Sequence, residues 1–384
     1  MKSTRELLTN VLDGKEVYRV PVAPFIFNNL IHKYYKATNP FNLYEKDMTV
    51  DAVVKGIELY EKFGFDIILR TANIWESLNE KYCSGENWIV NVEKNGNELQ
   101  WEIKTAIRTP EKILTQLKKF ARNANYEVVE AINEFFIKDE NDFEQFIKYQ
   151  PSLPKYDCSD ITRAKELLKC KGLVAPWAQG AFNITSFHRK VDDLLMDAYT
   201  NHDFYDRMMK YFAQRHLNVI QQMVNAGADI ICCGGNVANA TMAGPDYFEQ
   251  FVLPYEADYA KSVKKMGAYY LYHNCGNASS LFELYNKIGM NIYETLSEPP
   301  YGDTNLEDAL KRFDKKITLS GNIDHIDFLA KATPKAIKQH VKKVLDIVKK
   351  RGNFILAATD YFEESIPYDN IMAFADAARE YGNY

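Results

Sequence analysis

Tyr269-Tyr270-Leu271-Tyr272-His273-Asn274-Cys275-Gly276 is a short apolar run that ends abruptly in a histidine, a cysteine and a glycine. Short runs that are nearly all apolar are what strands look like when both of their faces are buried. Seven other stretches share the character of Tyr269–His273: Val20–Ile26, Asp66–Thr71, Gly172–Trp177, Asp229–Cys233, Met290–Thr295, Lys316–Ser320 and Asn353–Ala358. Amphipathic helical runs separate them. Strands alternating with helices imply a parallel sheet with crossover helices. Eight such units predict an α/β fold, a TIM (β/α)8 barrel spanning residues 1–384 as a single domain.

The helix punctuation agrees with this. Thr49-Val50-Asp51-Ala52 opens a run to Phe63 that Gly64 closes, and Asp246–Lys265 stops before Gly267. Thr333-Pro334 starts a helix reaching Lys350, with Gly352 beyond it. Proline in the first turn and glycine just past the end are the expected asymmetry. One segment breaks the rhythm: Trp88–Val92 and Glu98–Ile107 alternate apolar and polar residues around Asn95-Gly96, a strong hairpin signal. It predicts a β-hairpin inserted after the second strand, followed by extra helical material over Thr109–Leu168. The hairpin and the N-terminal helix read as decorations on the barrel.

Composition excludes several classes. A net charge of −5 argues against a nucleic-acid surface. No uninterrupted apolar stretch has spanning length, and Met1-Lys2-Ser3-Thr4-Arg5-Glu6 has no signal-peptide core, so a cytoplasmic location is expected. The six cysteines are scattered, which in a reducing compartment predicts thiols or metal ligands. There is no G-x-G-x-x-G after the first strand, no G-x-x-x-x-G-K-[ST] and no G-x-S-x-G, which removes the common nucleotide and serine-hydrolase routes.

TIM-barrel active sites lie at the C-terminal ends of the strands. His273 and Cys275 share one face of such an end, because side chains alternate along a strand. Imidazole with thiolate suits zinc, although a buried histidine beside an inert thiol would show the same pattern. Glu294 closes the next strand and Asp360 the last, and both are candidate oxygen ligands. Arg70 ends the second strand; a buried guanidinium there needs an acid or an anionic ligand. Asn28, Trp177, Gln179, Asn236, Asn322 and Tyr361 sit at other strand ends as candidate substrate contacts, with Trp177 and Tyr361 able to stack on an aromatic ring. Cys232 and Cys233 face opposite ways and read as core packing. The histidines other than His273 are expected on the surface or on helix faces.

The run His273-Asn274-Cys275-Gly276, with Gly289, Glu294, Gly321-Asn322-Ile323-Asp324, Ile366-Pro367 and Asn370, resembles the uroporphyrinogen decarboxylase superfamily. Arg5 with Gly14, Arg19-Val20-Pro21-Val22 and Thr109-Pro110 extend the resemblance over essentially the whole chain. It is nearest the corrinoid-linked methyltransferase branch. The decarboxylases carry an arginine-rich segment after the first strand, whereas Phe25–Leu30 has no arginine here. The methyltransferase branch holds zinc with His-x-Cys and a later cysteine. His273 and Cys275 match the first two; no cysteine follows Cys275, and Asp360 stands in the corresponding place. Glu294 resembles the glutamate that cobalamin-independent methionine synthase adds to its own His-x-Cys site.

The resemblance implies a zinc-dependent methyltransferase that takes the methyl group of a small donor, with a methoxylated aromatic favoured, and passes it to the corrinoid (cobalamin) of a partner protein. His273, Cys275, Glu294 and Asp360 would hold the metal, with Asp360 and Glu294 also in the chemistry. A carboxylate in place of the third cysteine leaves more positive charge on zinc and favours ether demethylation. The alternatives are transfer from a methyl-corrinoid to a thiol or folate, a metal-free decarboxylase, and a silent partner of a corrinoid protein. A homodimer is left open.

Overall fold

The computed structural model describes residues 3–36, 50–74, 84–97, 99–122 and 128–384. Thr49, Cys83 and Glu98, which the sequence reading touches, lie outside these, as do Met1 and Lys2. Strands β1 (Ile67–Leu69) and β6 (Gly172–Val174) pair in parallel. The strands β7 (Trp177–Gln179), β8 (Ile230–Gly234), β9 (Tyr269–His273), β10 (Ile292–Thr295), β11 (Thr318–Ile323) and β12 (Phe354–Ala358) form a six-stranded parallel sheet in chain order. Pro176 interrupts the ladder between β6 and β7, where the sequence predicts one strand, because proline has no N–H to donate.

The predicted first strand, Val20–Ile26, is not a regular strand. Pro21 and Pro24 again remove donors, and isolated parallel bridges remain, Val22 to Leu356 and Phe25 to Tyr361. That segment nevertheless closes the ring. Leu356 N–H donates to Pro21 C=O (2.8 Å), and Asp66 N–H donates to Val22 C=O (2.8 Å). The fold is a TIM barrel, and its strand ends lie where the apolar runs place them, within a few residues.

Alternation along the strands separates two cores. Ala23, Ile68, Leu173, Ala175, Ile230, Cys232, Leu271, Ile292 and Ile355 pack in the lumen, with Leu8, Val11 and Leu12 of the helix Thr4–Leu12 plugging its N-terminal end. Cys233 faces the other way, into the core between the sheet and the helices. Each buried Leu or Val in the plug contributes about 1.5–3 kcal/mol of burial. The helix signals are realised: Asp51 caps Ala52–Phe63 through Val54 N–H, and Gly64 ends it at φ +72°. Thr333 caps Pro334–Val348.

The predicted hairpin is half of a larger element. β2 (Ile89–Gly96), β3 (Gln100–Arg108), β4 (Ile113–Arg122) and β5 (Val128–Glu134) form a four-stranded antiparallel sheet. Asn95 and Gly96 pair with Glu102 and Trp101, so the turn begins at Asn97, whose side chain accepts from the N–H groups of Leu99 and Gln100. The expected helical material over Thr109–Leu168 therefore begins with two strands; its helices are Glu140–Tyr149 and Ser159–Leu168. Among the described residues, no helix is long and apolar enough to cross a membrane.

Candidate metal centre

The inward positions one step above the lumen core carry polar side chains. Two residues beyond Leu271 is His273; two beyond Ile292 is Glu294; two beyond Ile68 is Arg70. His273, Glu294 and Arg70 are 2%, 6% and 4% exposed. β9 and β10 pair in register, His273 opposite Glu294. His273 Nδ1 donates to Glu294 Oε1 at 2.9 Å. A carboxylate accepts only, so this bond fixes the proton on Nδ1 and leaves Nε2 as a free donor pair.

Nε2 faces the mouth, where Asp360 Oδ2 lies 3.8 Å away. Ligand atoms of His273, Cys275 and Asp360 all lie within 4.8 Å of one another. Nitrogen, sulfur and oxygen donors this close, two of them on acidic side chains, suit a transition-metal cation. Without one, a proton substitutes: burial opposes the imidazolium, but Asp360, Cys275 and Glu294 outweigh it and hold the pKa of His273 well above the ordinary range. Cys275 is placed by its neighbour. Asn274 accepts from Gly276 N–H (3.0 Å) and donates to Tyr285 Oη (2.6 Å), while its carbonyl accepts from Thr295 Oγ1 (3.1 Å). The Asn274 side chain thus holds the turn at Gly276, which does not adopt positive φ.

Glu294, expected as a ligand, stands behind His273, outside the three-residue cluster. Arg70 reaches it from the opposite wall of the barrel, with Nη1 to Oε1 at 3.2 Å and Nη2 to Oε2 at 2.8 Å. Burial pushes the Glu294 carboxyl up, but Arg70 and His273 prevail and bring its pKa down to about 2. Of the two partners open to Arg70, an acid or an anionic substrate, the structure shows the acid, Glu294, and the guanidinium also stacks over Phe25 at 4.7 Å.

An aromatic wall flanks the cluster. Phe25 stacks on Trp177 at 5.9 Å and meets Tyr361 edge-on at 5.9 Å, and Trp177 stands edge-on to His273 at 5.2 Å. Trp177 and Tyr361 are thus brought to the site together. Phe25 was missed by the sequence reading, although it lies two residues from the lumen-facing Ala23. The buried Oδ1 atoms of Asn28, Asn236 and Asn322 have no hydrogen-bond partner among the described residues. Asn322 Nδ2 donates to Glu298 Oε1 at 3.2 Å, which orients its Oδ1 as the free acceptor. Gln179 is tied to Asn183 at 3.3 Å and shapes the loop after β7. His325, expected on the surface or on a helix face, opens the helix His325–Leu329 and is buried; its Nδ1 lies 2.9 Å from Thr359 Oγ1 and its Nε2 3.6 Å from Glu363 Oε1. His188 is half-buried, with its ring stacked on Phe212 at 4.0 Å.

A barrel with a nitrogen, sulfur and oxygen donor cluster at the C-terminal end of its strands is the architecture of a TIM-barrel protein with a metal-competent active-site mouth. The profile of the uroporphyrinogen decarboxylase (URO-D) family matches residues 133–381, and the chain belongs to that family. It is similar to the methylcobamide:CoM methyltransferase MtbA of Methanosarcina mazei, 23% identical over 204 residues, 53% of this chain and 56% of that protein. The corresponding protein of Methanosarcina acetivorans is 22% identical over the same shares. The chain thus spans about half the length of the curated relatives it matches. A solved methyltransferase from Methanosarcina mazei shares the fold over 99% of both chains, with a TM-score of 0.69 at 16% identity.

Proposed function

We propose that this protein is a zinc-dependent methyltransferase that takes a methyl group from a small donor, of the methoxylated aromatic class, and delivers it to the corrinoid of a partner protein. The observation that carries the reading is the His273, Cys275 and Asp360 cluster beside an aromatic wall. Zinc bonds of about 2.0–2.3 Å space tetrahedral ligand atoms by roughly 3.5 Å. The 3.8 Å between His273 Nε2 and Asp360 Oδ2 needs little adjustment to reach that. Bound zinc supplies a Lewis acid for an oxygen leaving group.

The chain's own residues supply the rest. Phe25, Trp177 and Tyr361 offer faces and edges to a flat ring. Asn28, Asn236 and Asn322 present acceptors to donor groups on that ring. Glu294 orients His273 and keeps its proton on Nδ1, and Asp360 completes the donor set at the exposed side. An oxygen donor in the third place leaves more charge on the cation than a thiolate would, which suits an oxygen leaving group.

Similarity to methylcobamide:CoM methyltransferases favours a second reading, transfer from a methyl-corrinoid to a thiol. A decarboxylase finds less support, since Phe25–Leu30 has no arginine and Arg70 is engaged by Glu294. The deciding experiment measures zinc content and then assays methoxylated aromatics with a Co(I) corrinoid protein. A parallel assay supplies the methylated corrinoid protein with coenzyme M. Zinc at one equivalent with methyl transfer from an aryl ether is the expected result. A protein that purifies without zinc whether or not His273 is replaced by alanine overturns the reading; turnover only in the coenzyme M assay replaces it with the second.

A further inference from the structure

We infer that Arg70 is a latch that holds Glu294 out of the metal's coordination sphere, so that the site keeps three protein ligands and one position open to substrate. The inference rests on the metal-binding part of the proposed function and concerns how many ligands the chain provides.

Three observations combine. First, both oxygens of Glu294 are engaged: Oε1 receives His273 Nδ1 and Arg70 Nη1, and Oε2 receives Arg70 Nη2, so three of the roughly four acceptor directions of the carboxylate are taken. Second, among the described residues Arg70 has no ion-pair partner besides Glu294. It is 4% exposed, its Nε has no hydrogen-bond partner among the described residues, and its guanidinium packs over the face of Phe25. A swing of Glu294 toward a cation would strand a buried guanidinium, an arrangement far costlier than the pair it replaces. Third, β1 and β10 lie on opposite sides of the ring, so the planar fork of Arg70 spans the lumen and forms the floor of the site with Glu294. Glu294 therefore meets the metal only through His273. Three ligands plus an open position is the composition of catalytic zinc sites, whereas four closed ligands make structural ones.

The latch predicts that removing Arg70 adds a ligand. Arg70→Met leaves Glu294 as a buried anion without its cation, and a bound metal becomes its best partner. The test substitutes Co²⁺, whose visible bands report ligand number, and adds azide as a probe of the open position. Wild type and Glu294→Gln should show the same band pattern and the same response to azide. Arg70→Met should lose the azide response and hold Co²⁺ about tenfold more tightly. The double variant Arg70→Met/Glu294→Gln should recover the response.

A changed band pattern in Glu294→Gln overturns the latch, because it makes Glu294 a ligand in the wild type. So does an azide response in Arg70→Met equal to that of the wild type. If Arg70→Met does not fold, the Glu294→Gln comparison decides alone. A wild-type protein that binds no Co²⁺ overturns the latch and the proposed function together; an altered Glu294→Gln spectrum in a metal-binding wild type overturns the latch only.

Discussion

The two ends of the barrel each bury carboxylates, and they treat them differently. At the N-terminal end, Asp229 accepts from Arg5, from Lys165 Nζ (2.6 Å) and from Val174 N–H (3.0 Å). Asp66 there accepts from Arg19 through both of its outer nitrogens (2.7 Å each) and from Val22 N–H (2.8 Å). Each acid has its cation and a backbone donor. At the metal cluster of the C-terminal end, Glu294 is matched by a cation, Arg70, and by the His273 side chain. Asp360 and Cys275 crowd one imidazole, and the buried amide oxygens of Asn28, Asn236 and Asn322 have no hydrogen-bond partner among the described residues. Saturated charge clusters stabilise a fold; a cluster with acidic groups left over is prepared to receive something.

The strongest way to break this contrast is to remove an anchor at the C-terminal end. His273→Ala or Cys275→Ala should abolish stoichiometric metal and lower methyl-transfer activity by at least about 10³-fold, since Lewis-acid stabilisation is worth several kcal/mol. Calorimetry of the metal-free proteins should show both variants folded. Retained metal in His273→Ala would erase the distinction between the ends.

The matching change at the other end is Asp229→Asn. It leaves Arg5 and Lys165 without their acid and should cost about 2–3 kcal/mol of unfolding free energy, reduced from a fully buried pair because both cations are partly exposed. Metal content should not change. Burial raises the Asp229 carboxyl, but its bonds to Arg5 and Lys165 prevail and hold its pKa below the ordinary value of 3.8. A depressed folded pKa gives stability that is present above the unfolded pKa and is lost as pH falls through the folded one. The difference between wild type and Asp229→Asn should therefore be full near neutrality and shrink in acid below the ordinary aspartate range. Denaturant titrations at several pH values measure it, and a gap that widens in acid would contradict the assignment.

Glu294→Gln tests the matched acid of the metal cluster. It should weaken metal binding about 10- to 100-fold, as loss of a partner behind a ligating histidine does. Chelator competition reads this directly; affinity equal to the wild type would mean that Glu294 does not orient His273. Smallest is Asn322→Leu, which removes one acceptor from the mouth. It should raise KM for a methoxylated aromatic about fivefold, the size of one hydrogen bond, with metal content unchanged.

Much of this was legible in the chain. The lumen-facing positions follow from period-two alternation, and the same count places Arg70, His273 and Glu294 one step above the core. What escaped is long-range. Arg70 and Glu294 are 224 residues apart, and no local pattern says that one crosses the lumen to hold the other. The second half of the antiparallel sheet was hidden because Ile113–Arg122 carries two adjacent lysines and partly exposed faces, a spacing that also suits a helix. The burial of His325 beside Thr359 and Glu363 escaped as well, since nothing near it in sequence announces either partner.

The alternation of β9 has a consequence for how such a site can change over time. His273 faces the lumen because an even number of steps separates it from Leu271, while Tyr270 and Tyr272 pack outward. Loss of a single residue within Tyr269–Leu271 would turn Tyr272 and Asn274 toward the lumen side and bury the imidazole among helices. Lineages derived from this barrel are therefore free to lengthen the segments between strands, as β2–β5 illustrates, but the strand itself tolerates insertions and deletions only in pairs.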